Sequence, residues 1–193
     1  MDKNIYNLLS YILAAPFVGI YVSIIFAFFA PLEYIQINRG LAASIGILFL
    51  GIIPLLDVLI MYKIGYLKDM NATNRKRRNL IYFLAILSYI GSALIFWKLG
   101  SHAMFLISLA YVFAPSATAI TNRFVKISVH VAGVAGPTTA LIYVFGLWLM
   151  PLYLLSLLIA YVRLKLKAHN ITELLLGFII PAIVTYLVYL IAW

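Results

Sequence analysis

The chain has 193 residues, of which 66% are hydrophobic and only 10% charged, with a mean hydropathy of +1.10 and a formal net charge of +9. Soluble domains carry roughly a quarter charged residues, so this composition excludes a soluble fold and points to an integral membrane protein. Cysteine is absent, which excludes disulfides and thiolate metal sites.

The five acidic residues, Asp2, Glu33, Asp57, Asp69 and Glu173, are scattered along the chain. A magnesium-dependent prenyl or phosphatidyl transferase needs clustered carboxylates, because a hard divalent cation takes oxygen ligands. Nothing of the DDxxD kind occurs, and with three histidines, one of them expected on the opposite membrane face, a zinc site is not expected either. The expectation is therefore chemistry without metal or other cofactor. A base-rich, acid-poor chain favours anions. Its cations lie in short loops beside lipid, so anionic headgroups, not nucleic acid, are the expected partner.

The first residues, "MDKNIYNLLSYILAAPF", run straight into an apolar segment with no small-residue cleavage site, so no cleavable signal peptide is expected. A span takes about twenty apolar residues at a helical rise of 1.5 Å each. By that measure seven segments are candidates: 8–30, 41–66, 79–98, 103–121, 129–148, 151–167 and 171–192. All should be helices, because an isolated lipid-exposed strand cannot satisfy its backbone. Asp57, within "GIIPLLDVLIMYKIG", is the one acid deep in a span. Burying it costs about 3 kcal/mol on insertion scales, and helix packing is the expected role ahead of proton relay. Residues 129–167 as one helix would measure roughly 57 Å, so a hairpin is expected near Gly146–Pro151, where Pro151 can open a helix but not continue one. The whole chain, 1–193, reads as one all-α polytopic bundle of six to seven spans with no internal repeat.

Seven spans place twelve of the fourteen Lys and Arg residues, together with the N-terminus, on one side; Arg39 and Lys98 lie on the other. The positive-inside rule makes the cation-rich side cytoplasmic. His130 and His169 fall on that side. His102, in "GSHAMF", falls on the opposite one, where an interfacial polar residue is expected. The stretches "NAT" at 71 and "NIT" at 170 match the glycosylation sequon but lie so close to the membrane that chance explains them better.

In "YVRLKLKAHNITELLLG", residues 161–177, His169 and Glu173 are four apart and share a helix face. A carboxylate there fixes the imidazole tautomer. Arg163 lies at the end of the preceding span, and His130 at the mouth of the fifth, where free N–H groups and the helix dipole favour an anion. Such a set suits metal-free phosphoryl transfer: one imidazole as nucleophile, the other as acid, with Arg and Lys holding the phosphoryl oxygens. "NITE" is equally a helix start, with Asn170 as cap and Glu173 in the capping-box position.

These residues resemble the type 2 phosphatidic acid phosphatase (PAP2) superfamily, whose signature is K-x6-R-P, then P-S-G-H, then S-R-x5-H-x3-D. Arg163, His169 and Glu173 reproduce the third spacing, with Glu in place of Asp. "KISVHVAGVAGP" keeps Ser128 and His130 of the second but has Ile127 for Pro and Val129 for Gly. In the first, Lys68 and Arg75 have the spacing but Lys76 replaces Pro; Arg78 suits "NRKRRN" better, with Asn71 then at the lysine position and Asn79 at the proline. Two spans separate successive pieces, which returns each to the same face. The resemblance covers roughly residues 60–180. It implies a lipid phosphatase in which His169 forms a phosphohistidine, Glu173 orients it and His130 is the general acid. Lys68, Arg75 or Arg78, Lys126, Ser128 and Arg163 would bind phosphate. The substrate implied is a lipid or isoprenoid phosphate or pyrophosphate. The rival readings are a transporter or anionic-lipid-binding protein, whose basic loops only set topology, and a metal-dependent lipid transferase.

Overall fold

The computed structural model describes residues 3–70 and 74–193, without the side chains of Lys3 and Leu32. Among the described residues all regular structure is helical. The helices are α1 (Lys3–Ile12), α2 (Ala15–Phe29), α3 (Arg39–Gly46), α4 (Ile53–Lys63), α5 (Arg78–Lys98), α6 (His102–Thr121), α7 (Val129–Phe145), α8 (Tyr153–Lys165) and α9 (Ile171–Ala192). A π-helical turn, Ile47–Ile52, joins α3 to α4, so that Arg39–Lys63 forms one apolar span of 25 residues. With α5, α6, Leu147–Lys165 and α9, five helices among the described residues are long and apolar enough to cross a membrane.

The seven expected segments are all helical, but two differ from the expectation. The first, 8–30, is broken: α1 and α2 meet at a 45° bend, and the pair counts as a sixth span only when taken together. The cause is Pro16 in the first turn of α2. Proline lacks the amide hydrogen and its ring clashes with the preceding turn, so it opens a new helix instead of extending the old one. The fifth, α7, has only 17 residues, about 26 Å of rise. It stops at Gly146, whose φ of 108° and ψ of 164° suit only glycine. A 3-10 turn, Leu147–Leu152, then carries Pro151 into α8. The hairpin therefore lies where the two breakers placed it.

Helix α7 packs chiefly on α9, and also on α2, α8 and α6, while α6 packs on α5 and α9. Phe26, Phe96, Leu106, Ile107, Ile159 and Val162 are fully buried between them. Many large apolar side chains instead face outward, among them Phe29, Phe83, Trp97, Leu157 and Ile191. That distribution suits a bundle whose solvent is hydrocarbon. In such a solvent small and hydroxylated residues bring helices together. Ser92 and Ser108 share a hydrogen bond of 2.8 Å between α5 and α6, Ser88 donates to Phe49 O at 2.6 Å, and Thr139 meets Tyr153 Oη at 2.8 Å. Half-buried Asp57 acts electrostatically on Tyr89 across the α4–α5 contact, and its Oδ2 has no hydrogen-bond partner.

The bundle has two unlike ends. At one, Tyr34, His102 and Trp193 gather, with Tyr34 and Trp193 ring centroids 4.6 Å apart and His102 6.0 Å from Tyr34. His102 is thus part of an aromatic cluster far from the other histidines. At the opposite end residues 64–70, 74–77, 122–128 and 166–170 come together with α1.

Candidate functional site

The corner between α8 and α9 builds the first part of the site. Helix α8 closes with Ala168 N–H donating to Arg163 O at 3.0 Å and Lys167 N–H to Leu164 O at 2.9 Å, with Lys167 left-handed at φ 52°. This pair of bonds ends a helix sharply and reverses the chain. Asn170 then opens α9, its Oδ1 accepting from Glu173 N–H at 2.9 Å. The backbone of Glu173 thereby serves the cap, and its carboxylate is left for His169: Nδ1 and Oε2 are 2.6 Å apart. A carboxylate can only accept, so Nδ1 carries the hydrogen and Nε2 keeps a free lone pair. Asn170 is thus the cap, as expected, while the Glu173 side chain goes to His169.

The second part is the start of α7. Ser128 caps it, Oγ accepting from Val131 N–H at 3.5 Å. Ser128 N–H donates to Glu173 O at 3.1 Å, which ties the first turns of α7 and α9 side by side. Gly177 permits the approach: a Cβ there would stand 2.9 Å from Ser128 O. Two residues past the cap, His130 is buried, within electrostatic reach of Arg163, Arg78 and His169. The two imidazoles therefore lie at the same end of the bundle.

The third part is cationic. Arg78, the first residue of α5, is only 2% exposed and donates from Nη1 to Ile127 O at 2.8 Å. Arg163, in the last turn of α8, is also only 2% exposed, and its Nη1 meets Ser10 Oγ of α1 at 3.0 Å. Lys126 Nζ donates to Ala168 O at 2.9 Å. Each of these bonds joins a different pair of segments, so the cations also hold the loops together. Of the three candidates from the 68–78 region, Arg78 joins this cluster. Arg75 is exposed and braces the neighbouring loop, donating to Arg123 O at 2.8 Å and Phe124 O at 3.0 Å. Lys68 is exposed. Asn71, with the "NAT" stretch, lies outside the described residues.

The electrostatics follow from this crowding. Burial, then Arg78, Lys126 and Arg163, push the His169 imidazole down to about 3. Burial also pushes the Lys126 ammonium below the usual lysine range. Glu173 and Asp69 counter that shift, and Arg78 and Arg163 add to it. Burial first, and the neighbouring cations second, hold both histidine and lysine toward their neutral forms; an anion would relieve the second of these.

Two openings flank the cluster. Outside, Lys126, Lys167, His169 and Glu173 line an open depression. Inside, an apolar cavity of about 190 Å³ is lined by Arg78, His130, Tyr82, Ile107, Tyr111 and Pro181, among others. His169 borders the first and His130 the second. Among the described residues no three His, Cys, Asp or Glu side chains gather as a metal site would require.

Three contributors were not foreseen from the sequence. Ser10 sits 153 positions from Arg163, and no local pattern links them. Asp69, adjacent to the expected Lys68, is among the residues that act electrostatically on Arg78, Lys126 and Arg163. Tyr82 is legible only in hindsight, one turn after Arg78 on the same face. Compared with protein-family models, with curated proteins and with solved structures, the chain matches none.

Proposed function

We propose that this protein is a membrane-embedded, metal-independent phosphatase of the PAP2 type, acting on a lipid or isoprenoid phosphate or pyrophosphate at the membrane surface. The observation that carries the reading is the His169–Glu173 pair, 2.6 Å apart, held among three cations, Arg78, Lys126 and Arg163.

In this reading the phosphate binds between the two imidazoles. Arg78 and Arg163 meet its non-bridging oxygens, and Lys126 adds a point charge. The lone pair on His169 Nε2 attacks phosphorus. An N–P bond forms as the P–O bond to the lipid breaks, and the departing oxygen takes a proton from His130. The phosphate dianion, arriving beside the guanidinium groups, supplies the negative charge that the imidazolium of His130 needs. Glu173 stabilises the cationic phosphoimidazole through Nδ1–H. Water then attacks phosphorus, its proton passes to the now neutral His130, and the N–P bond breaks to release inorganic phosphate and free His169. Burial of the guanidinium groups strengthens their hold on the transition-state charge. The cation-rich end faces the cytoplasm in this reading, following the charge bias.

The test is release of inorganic phosphate from a lipid phosphate in detergent with EDTA present. Turnover that persists in EDTA and disappears in both His169→Ala and His130→Ala supports the reading. Abolition by EDTA turns the assignment toward a metal-dependent transferase. Wild-type activity in His169→Ala removes the nucleophile. A transporter reading gains from Asp57 within a span and from the 45° break between α1 and α2, since broken helices and intramembrane charges mark transporter sites. It predicts no phosphate release at all.

A further inference from the structure

The proposed chemistry gives no part to α1. The 45° bend at Pro16 separates two sets of neighbours: α2 packs on α3, the π-helical turn and α7, whereas α1 packs chiefly on α8. Two contacts fix that seam. Tyr6 meets Tyr161 edge to face, with ring centroids 6.3 Å apart. One turn further along α1, Ser10 Oγ accepts from Arg163 Nη1 at 3.0 Å. Ser10 is only 1% exposed and Arg163 only 2%. Ser10 also lies outside residues 60–180, over which the resemblance to phosphatases extends.

What the bond does follows from the charges around it. Arg78 acts on Arg163 with like charge, and Asp69 acts in the opposite sense. Two buried guanidinium groups repel, and an arginine side chain has the rotamer freedom to swing away unless it is held. Each accepts a neutral oxygen as its tether: Arg78 donates to Ile127 O at 2.8 Å and Arg163 to Ser10 Oγ. A carboxylate in the place of Ser10 would bind the guanidinium more strongly but would cancel its charge. A hydroxyl fixes the group and does not cancel the charge. An anion then meets donors that were ordered before it arrived, and its binding does not bear the cost of ordering them.

We propose that Ser10 is a positioning residue, a neutral tether that holds the Arg163 guanidinium for the phosphoryl group, so that α1 completes a site whose other parts come from α5, α7, α8 and α9. This rests on the anion-binding half of the phosphatase reading and not on turnover. The probe is inorganic phosphate, its dissociation constant read from phosphorus NMR line broadening on the full chain in detergent, beside a melting curve for each variant. Ser10→Ala should weaken phosphate binding about tenfold, and kcat/KM for a lipid phosphate should fall to a similar degree. Ser10→Asp separates positioning from packing. It keeps an acceptor for Arg163 and adds an ion pair, so the melting temperature should stay at or above that of wild type, while phosphate binding falls at least tenfold because the pair cancels the charge. If Ser10 only pinned α1 on α8, affinity would follow the melting temperature in both variants. Should Ser10→Asp fail to fold, Ser10→Thr decides: the restored hydroxyl must recover the affinity lost in Ser10→Ala. The expected binding pattern without turnover supports the tether and sinks only the phosphatase reading. Unchanged phosphate affinity in Ser10→Ala, or wild-type affinity in a folded Ser10→Asp, overturns it. So does a wild type that binds no phosphate, which removes the anion site as well.

Discussion

His169 and Glu173 stand one helical turn apart across the start of α9, with Nδ1 and Oε2 2.6 Å from each other. The carboxylate fixes the tautomer, and the second nitrogen is left free to act. In Glu173→Gln the amide can present either its oxygen or its NH2 group, so the tautomer is no longer held and the cationic intermediate loses its counter-charge. Turnover should fall by about 10²-fold or more, with KM little changed. Because Asn170 caps the backbone N–H of Glu173 and not its side chain, the melting temperature should stay near wild type. Steady-state kinetics and a melting curve on the same preparation check both halves.

The pH dependence carries a definite sign. The folded-state value of His169, about 3, lies below its ordinary value of 6.5. The unfolded chain therefore takes up a proton at a pH where the folded protein does not. Stability should fall as pH drops from about 6.5 toward 3, and rise again with pH across the same window. Melting temperatures across that window should show the decline in wild type and a shallower one in His169→Gln. Nitrogen chemical shifts of the free protein should report a neutral His169 at pH 5; a protonated ring at that pH would show that the Glu173 carboxylate outweighs burial and the neighbouring cations.

The contact between α7 and α9 depends on Gly177, since a Cβ at that position would meet Ser128 O at 2.9 Å. Neither partner in that contact is the end of a flexible side chain, so Gly177→Ala must move the two helix starts apart. Overpacking of this kind costs about 1–3 kcal/mol. Because the same contact sets the start of α7, which carries His130, against the start of α9, turnover should drop at least tenfold under the phosphatase reading. A variant that is destabilised but retains full turnover would show that the spacing does not matter.

Lys167 occupies a left-handed position at φ 52°, where glycine is the residue of lowest cost. Lys167→Gly should stabilise the α8–α9 corner by about 1 kcal/mol. Thermal melts in detergent measure it, and a lower melting temperature would mean that the lysine side chain contributes more than its backbone costs.

Much of this molecule was legible in its sequence because membrane helices obey length and hydropathy. The segments from α3 to α9 fall within a few residues of the expected ranges, and Gly146 with Pro151 announced the hairpin. The break between α1 and α2 was missed because the apolar run 8–30 continues across it, and a proline in a first turn reads the same whether or not a helix precedes it. Within the site, the spacing of His169 and Glu173 was informative because both lie on one helix. Between Arg78 and Arg75 the sequence left the choice open, with context leaning to Arg78 and exact spacing to Arg75; it turns on which face of α5 meets Ile127 and which loop takes Arg75. Ser10 and Asp69 were invisible for the same reason: their partners come from tertiary packing, not from spacing along the chain.

The central claim, that His169 is the phosphoryl acceptor, is tested most directly by rapid quench with a lipid phosphate labelled on phosphorus. The account predicts an acid-labile, base-stable label on the peptide carrying His169, absent in His169→Ala. Label on a different side chain, or label that persists in His169→Ala, would contradict it.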